Sequence, residues 1–294
     1  MLPVYTSEDI TALPADSRIR LGVIGNPIAH SKSPQMQQAA LDEDGRKLTY
    51  VRLLAGLEEG GFDSLLKLLA ERGFIGVNVT VPFKKKAFAA AVQADALSSL
   101  CGAANTLVLR KDGWHCFNTD GPGFEWALEE LCGRRLQELR VVILGACGGA
   151  GSALSCQCIL SGCRHLSLVN RPRPELSGLE NLLRPLADGA LQTLTFDSPA
   201  LEEAVAAADL VVNATSLGLH AGEPLPLNPE WLHPGQMVYD IVTHSTPLQI
   251  AAAARGCTAS DGLGMLLRQG AIAYRHWFGS LPNTELMQQA LLQA

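Results

Sequence analysis

Strand-like runs alternate with segments of helical periodicity along this chain, and the alternation predicts its elements. The runs with the length and pattern of strands are residues 21–24, 76–81, 141–144, 166–169, 191–196, 209–213 and 236–242. Apolar residues at helical spacing cover residues 62–69, 179–186, 201–208 and 262–277. Strands that alternate with helices are typical of α/β folds, so a doubly wound parallel sheet is expected, with 236–242 as its last strand.

The stretch from Arg140 to Arg171 has the pattern of a strand, a glycine turn, a helix and a second strand. Glycines let the backbone approach a pyrophosphate, and the helix that follows offers unpaired N–H groups and a positive dipole end. Counted from Gly145, Cys147 and Ala150 occupy the third and sixth positions of G-x-G-x-x-G, so the strict pattern fails unless one residue is inserted beside Cys147. The stretch therefore predicts a dinucleotide site, and a tight turn without a ligand is the alternative.

The end of the second strand of this unit bears on the choice of cofactor. An acid at this place would bind the adenosine ribose hydroxyls. This chain instead has Asn170, Arg171 and Arg173, with no carboxylate before Glu175. Two arginines favour a 2′-phosphate and hence NADP over NAD, while a solvated loop is the alternative.

Polar side chains stand where other predicted strands meet helices, which is where open α/β sheets bind their ligands. Asn78 and Thr80 alternate on one side of the strand 76–81, and Lys84 is the first of three lysines after it. Asn105 lies beside a further strand, and Asp120 opens a helix after an Asn-Thr pair. A solvated helix face for the lysines and a helix cap for Asp120 are the alternatives.

Two serines on one loop form a second group of candidates. Ser33 precedes Pro34, as expected of a serine that caps a helix with proline at the first helical position. Ser31 has no such explanation, and two hydroxyls on one loop edge could hold a carboxylate.

Gln269 lies at the border of the apolar face of the helix 262–277, where it can reach a cleft, and Asp261 is expected to cap that helix.

Composition narrows the function classes. The net charge of −6 is spread along 294 residues without a basic arm, which argues against nucleic acid and anionic membranes as partners. The N-terminus lacks a basic flank followed by an apolar core, so a cytoplasmic protein is expected. The eight cysteines include no C-x-x-C pair and the seven histidines have no ligand spacing, so buried reduced thiols and no metal are expected.

Seven motifs, in order and across most of the chain, closely resemble the shikimate dehydrogenase family: G-N-P-I-A-H-S-K-S-P, N-V-T-V-P-F-K, G-A-A-N-T, N-T-D-G, L-G-A-x-G-G-A, N-A-T-S-L-G and D-G-L-G-M-L. The resemblance implies NADP-dependent interconversion of 3-dehydroshikimate and shikimate, with some relatives that take quinate or use NAD. It also implies an α/β substrate domain at 1–120, completed by the C-terminal helices at 262–294, and a Rossmann-like domain at 121–261. The site is expected in the cleft where the two domains meet.

The resemblance assigns roles to residues. Lys84 and Asp120 would be the catalytic pair, since a lysine bonded to a reacting oxygen and a carboxylate can stabilise an alkoxide and relay a proton. The substrate carboxylate would be bound by Ser31 and Ser33, and the ring hydroxyls by Asn78, Thr80, Asn105 and Gln269. The cofactor would be bound by Gly145, Ala146, Gly148, Gly149, Ala150, Asn170, Arg171, Arg173, Thr215, Gly218 and Gly262.

The motifs also depart from the family pattern. Gln37 and Gln38 replace the usual His-Asn pair, a change associated with paralogs of shikimate and quinate specificity, and Thr243 replaces a frequent tyrosine. Pro172 replaces a small hydroxyl residue after Asn-Arg. A quinate/shikimate dehydrogenase that uses NAD and a non-catalytic sensor of a shikimate-like ligand are therefore the rival hypotheses, and either a monomer or a homodimer is expected.

Overall fold

The computed structural model describes residues 2–294, which form two compact units: residues 2–122 with 267–294, and residues 123–266. The first stretch of chain contains β1 Val4–Tyr5, α1 Ser7–Ala12, β2 Ile19–Gly25, α2 Ser33–Glu43, β3 Thr49–Leu54, α3 Gly61–Glu71, β4 Gly76–Val79, α4 Lys84–Ala89, β5 Gln93–Ala94, α5 Ala96–Cys101, β6 Thr106–Arg110, β7 Gly113–Phe117 and α6 Asp120–Cys132.

The remaining chain continues in the same numbering. Its elements are β8 Arg140–Leu144, α7 Gly149–Leu160, β9 His165–Asn170, α8 Pro174–Leu183, β10 Ala190–Thr195, α9 Leu201–Ala206, β11 Leu210–Asn213, β12 Met237–Asp240, α10 Pro247–Ala254, β13 Thr258–Ser260, α11 Leu263–Phe278 and α12 Thr284–Leu292, with short 3₁₀ turns at Leu136–Glu138, Arg184–Leu186 and Pro229–Trp231.

The sheet of the first unit is mixed rather than parallel. Its strand order is β1-β3-β2-β4-β6-β7-β5, and β6 runs antiparallel to both β4 and β7. The expectation of parallel strands throughout is wrong here, because β6 and β7 are joined by a tight turn without a crossover helix. The aromatic core of this unit includes Phe62 stacked on Phe83 at 5.1 Å between ring centroids.

The sheet of the second unit is parallel throughout, in the order β10-β9-β8-β11-β12-β13. Counted from the first strand of the unit this is 3-2-1-4-5-6, the order of a doubly wound dinucleotide-binding sheet. The expected α/β fold with a Rossmann-like part is therefore confirmed. The strand at 237–240 is not the last, since β13 adds an edge that its short, partly exposed sequence did not reveal.

Other boundaries differ from expectation for local reasons. Helix α8 begins at Pro174 rather than at 179, because proline suits the first turn of a helix. Asp261 accepts a hydrogen bond from the Leu263 N–H at 3.0 Å, as its predicted capping role requires.

All eight cysteines are free thiols. None of the helices described between residues 2 and 294 combines the length and the apolar character of a membrane span.

Candidate active site

Lys84 and Asp120 form a short ion pair in the first unit. Lys84 Nζ lies 2.6 Å from Asp120 Oδ2, and the two side chains are 15% and 9% exposed. Lys84 is the first residue of α4, and Asp120 is the first residue of α6. The pair is thus shielded from most solvent while the lysine keeps an accessible edge.

The strand register explains why residues far apart in sequence meet. Asn78 in β4 pairs with Thr106 at the start of β6, and Thr106 pairs with Phe117 at the end of β7. Because β6 is antiparallel, its first residue and the last residues of both neighbours lie at one sheet edge. Lys84 and Asp120 follow shortly after those ends, so the chain brings both to the same edge.

Asn105 connects this pair to its surroundings. Its Nδ2 donates to Asp120 Oδ1 at 2.8 Å and lies 3.3 Å from Gln269 Oε1. Its Oδ1 accepts the backbone N–H of Thr119 at 2.7 Å. A backbone N–H can only donate, so the carbonyl end of the amide faces Thr119 and the NH₂ end faces Asp120. Each carboxylate oxygen of Asp120 therefore accepts a hydrogen bond from a fixed donor.

Asn78 lies one step further from the pair. Its Oδ1 accepts from Tyr50 OH at 2.7 Å, and its Nδ2 donates to Thr106 Oγ1 at 3.0 Å and to the Asn105 carbonyl at 3.3 Å. Burial raises the pKa of Tyr50 well above its ordinary value, so its hydroxyl remains a donor. Both ends of the Asn78 amide are thus engaged within the protein. Thr80, just beyond β4, is half-buried.

The serine loop differs from its sequence-based prediction. Lys32 is the N-cap of α2, and Ser33 is the first helical residue without a capping side-chain bond. Ser31 Oγ instead accepts the Ser33 N–H at 3.3 Å, which leaves that donor unavailable for another cap. The Ser33 hydroxyl, on a residue 7% exposed, makes no hydrogen bond with any residue that the structure describes. A hydroxyl that has no protein partner is free to bind a ligand.

The glycine turn of the second unit lies between β8 and α7. Gly145 has a φ of +82°, which favours glycine, and a Cβ on Gly151 would lie 2.1 Å from the Gly145 carbonyl oxygen. Ala146 is buried, Gly148 is the exposed N-cap of α7, and Gly149 and Ala150 open the helix. A close turn followed by uncapped helical N–H groups fits a pyrophosphate. Burial raises the pKa of the neighbouring Cys147 thiol.

Asn170 ends β9, and two arginines follow it. Asn170 is 7% exposed and donates from Nδ2 to the Arg171 carbonyl at 3.1 Å. Arg171 and Arg173 are exposed, and neither forms an ion pair within the described part of the chain. Their cationic groups are thus available for an anion such as a 2′-phosphate.

The loops after β11 and β12 share buried polar contacts that sequence reasoning missed. Thr215 Oγ1 donates to Asn213 Oδ1 at 2.7 Å, and Asn213 Nδ2 donates to Asp240 Oδ2 at 3.1 Å. Burial raises the pKa of Asp240 despite these hydrogen bonds. Gly218 N donates to Glu223, and Gly262 N donates to the Val242 carbonyl. The paired strand ends at Asn213 and Asp240 were the available signal.

The structure therefore gathers some predicted residues and leaves others apart. Lys84, Asp120, Asn105 and Gln269 are linked by direct hydrogen bonds. Asn78 joins them through Thr106 and Asn105, whereas no hydrogen bond between described residues links the serine loop to this cluster. Thr106 and Thr119 are further members that sequence reasoning did not single out, although both belong to the quoted motifs. Among residues 2–294, no group of three possible metal ligands lies together.

Two family profiles match parts of the chain. The profile described as the shikimate dehydrogenase substrate binding domain matches residues 23–107. The profile described as the shikimate 5′-dehydrogenase C-terminal domain matches residues 262–292. These ranges contain Lys84, Asn105 and Gln269.

Known proteins match over nearly the whole chain. A shikimate dehydrogenase (NADP(+)) of Moorella thermoacetica is 37% identical over 277 residues, which are 93% of this chain and 92% of that protein. The crystal structure of a Thermus thermophilus shikimate 5-dehydrogenase with NADP(H) and shikimate is 31% identical, with a TM-score of 0.82. The match covers 94% of this chain and 99% of that one. The structure of a quinate dehydrogenase of Corynebacterium glutamicum in complex with NAD is 28% identical, with a TM-score of 0.84. The match covers 95% of this chain and 99% of that one.

Proposed function

Because the chain belongs to the shikimate dehydrogenase family, we propose that it catalyses the reversible NADPH-dependent reduction of 3-dehydroshikimate to shikimate. The observation that carries this proposal is the ion pair of 2.6 Å between Lys84 Nζ and Asp120 Oδ2. A protein that only binds such a ligand has no need for a paired proton donor and acceptor. The same pair therefore argues against a non-catalytic sensor.

Reduction of a carbonyl needs a proton at oxygen as hydride reaches carbon. NADPH, when bound, supplies the hydride. The Lys84 ammonium donates a hydrogen bond to the reacting oxygen and then the proton, which yields the alcohol. Asp120 keeps the ammonium in place and takes part in returning a proton to the Lys84 amine after the transfer. Asn105 holds the other carboxylate oxygen of Asp120. In oxidation of shikimate the proton moves in the opposite direction.

The remaining polar groups bind the substrate. The hydroxyls of Ser31 and Ser33 hold its carboxylate, a role supported by the unpartnered hydroxyl of Ser33. Asn78, Thr80, Asn105 and Gln269 line the subsite for the ring hydroxyls. The amides of Asn78 and Asn105 are already bonded at both ends within the protein, so these two residues also hold Thr106, Thr119 and Asp120 in place.

The cofactor is held by the second unit. The turn of Gly145, Ala146, Gly148, Gly149 and Ala150 would hold the pyrophosphate. Asn170, Arg171 and Arg173 would bind the 2′-phosphate of the adenosine ribose, and Thr215, Gly218 and Gly262 would bind the nicotinamide end. The uncapped start of α7 and the unpaired arginines support these assignments.

We assign residues 1–120 with 262–294 to substrate binding and 121–261 to the cofactor. The enzyme is proposed to be cytoplasmic and either a monomer or a homodimer.

A second candidate function is oxidation of quinate or shikimate with NAD. Gln37 and Gln38 at the His-Asn position of the family favour it, as does the similarity to the quinate dehydrogenase with bound NAD. Initial rates of nicotinamide reduction should be measured with shikimate and quinate, each with NADP and NAD. The highest kcat/KM is expected for shikimate with NADP. A preference for quinate with NAD would select the second candidate, and no turnover of either acid would refute both.

A further inference from the structure

Arg52 in β3 is a buried cation in contact with the loop that carries the two serines. The residue is 4% exposed. Its Nε donates to the Ser31 carbonyl at 2.9 Å, its Nη2 donates to the same oxygen, and its Nη1 donates to the Leu2 carbonyl at 3.0 Å. Uncharged backbone oxygens thus accept from Nε, Nη1 and Nη2, but they do not neutralise the charge of the guanidinium.

Buried guanidinium groups are normally paired with a carboxylate, because removing a charge from water is costly. Across residues 2–294, no carboxylate forms an ion pair with Arg52. Arg52 and Asp42 line one cavity, but Asp42 accepts a hydrogen bond from Gln38 instead. Burial lowers the pKa of Arg52, the direction expected of a cation without a compensating anion. The protein itself leaves this positive charge uncompensated.

The groups next to Arg52 are those expected to bind an anion. Ser31 O contacts the guanidinium, Ser31 Oγ contacts the Ser33 N–H, and Ser33 Oγ has no partner among the described residues. The positive dipole end of α2, an eleven-residue helix, begins at the same place. A carboxylate at the serine hydroxyls would therefore meet a positive potential made by both the helix and the buried cation.

We propose that Arg52 determines the affinity for the substrate carboxylate by long-range charge attraction, acting from behind the serine loop without touching the substrate. This inference rests on the proposed function, because it takes the serine loop as the carboxylate site. Arg52 is a positioning and electrostatic residue in this view. A purely structural role, in which the guanidinium only anchors the loop, is the competing explanation.

The test is a charge cycle between residue 52 and the substrate. Arg52→Gln removes the charge but retains an amide donor, and Arg52→Lys retains the charge. Each variant and the wild type are assayed with NADP on shikimate and on its neutral methyl ester, and kcat/KM is compared. Arg72→Met is the matched control, since Arg72 also donates to two backbone carbonyls, those of Leu13 and Thr11.

We expect Arg52→Gln to lower kcat/KM for shikimate roughly 5- to 30-fold more than for the ester, the range for one charge a few ångströms beyond contact at an effective dielectric constant of about 20. The loss should appear in KM rather than kcat. Arg52→Lys should keep the acid-to-ester ratio within about threefold of wild type, and Arg72→Met should leave it unchanged.

Equal losses on acid and ester would show a structural role and overturn the proposal. If Arg52→Gln does not fold, a loss of the acid preference in Arg52→Lys would overturn it just as well. Failure of the wild type to oxidise shikimate would refute the proposed function. Wild-type turnover with the same acid-to-ester ratio in every variant would refute only the role of Arg52.

Discussion

Replacement of Lys84 by methionine tests the proton donor most directly. Methionine preserves much of the side chain's length and apolar contact but removes the ammonium that lies 2.6 Å from Asp120 Oδ2. General acid–base catalysis by one positioned group contributes roughly 10²- to 10⁴-fold, so kcat should fall by that factor. Substrate affinity should change less than about tenfold, because the serine loop and the ring contacts remain.

The change should also destabilise the first unit. Asp120, 9% exposed at its side chain, would keep the hydrogen bond from Asn105 and lose the one from Lys84. Removing one partner of a largely buried pair leaves a charge less well satisfied, at a cost of about 1–3 kcal/mol in unfolding free energy. Chemical denaturation of the variant measures that cost separately from turnover.

The matched control is Lys85→Met. Lys85 is the next residue of α4 and is exposed, so its loss should leave kcat within about twofold of wild type and stability nearly unchanged. Steady-state oxidation of shikimate gives kcat and KM, and calorimetric titration of shikimate gives the affinity directly. Lys84→Met with turnover within about threefold of wild type, in a folded protein that still binds shikimate, would refute the assignment of the proton donor.

Three further predictions concern the second unit. Arg171→Ala should raise the KM for NADP about 10- to 100-fold and the KM for NAD less than threefold. The control Arg164→Ala, at the opposite end of β9, should alter neither KM. Equal effects of Arg171→Ala on both cofactors would contradict the 2′-phosphate role. Gly151→Ala places a Cβ 2.1 Å from a backbone oxygen and should lower the unfolding free energy by about 1–3 kcal/mol, as measured by thermal unfolding. Gly149→Ala, with no atom within 4 Å of its Cβ, should be tolerated. Similar melting curves for the two variants would be evidence against the tight turn. Burial alone would raise the pKa of Asp209, but hydrogen bonds from a backbone N–H and a guanidinium hold it below its ordinary value. The stabilisation that Asp209 contributes is therefore complete above the unfolded pKa of about 3.9 and is lost as pH falls through the folded pKa. Asp209→Asn should make the unfolding free energy depend less steeply on pH in acid. Equal slopes for the variant and the wild type would count against this role.

The Rossmann-like unit was predictable in most of its elements because its four central strands are short, largely buried runs. Residues 141–144 and 210–213 are buried throughout, and such runs leave no alternation to misinterpret. The edge strand Thr258–Ser260 was missed because it is three residues long and partly exposed. A strand beside Asn105 was predicted, but its antiparallel direction was missed. The connection between strands decides direction, and here β6 and β7 are joined by a tight turn between Arg110 and Gly113.

The polar network of the first unit was harder to predict, since its members are chosen by register and not by local pattern. The run Asn118, Thr119 and Asp120 suggested more than a helix cap, but nothing local indicates that Thr119 N–H fixes the amide of Asn105 at 2.7 Å. Tyr50 carries no sequence signal at all, yet its hydroxyl occupies the carbonyl of Asn78 at 2.7 Å. A motif identifies which residues belong to the site, whereas the hydrogen bonds decide which of them still have a donor or acceptor free for a ligand. By that criterion Ser33 and Lys84 are better candidates for direct contact than Asn78 and Asn105, whose amides already form hydrogen bonds within the protein at both ends.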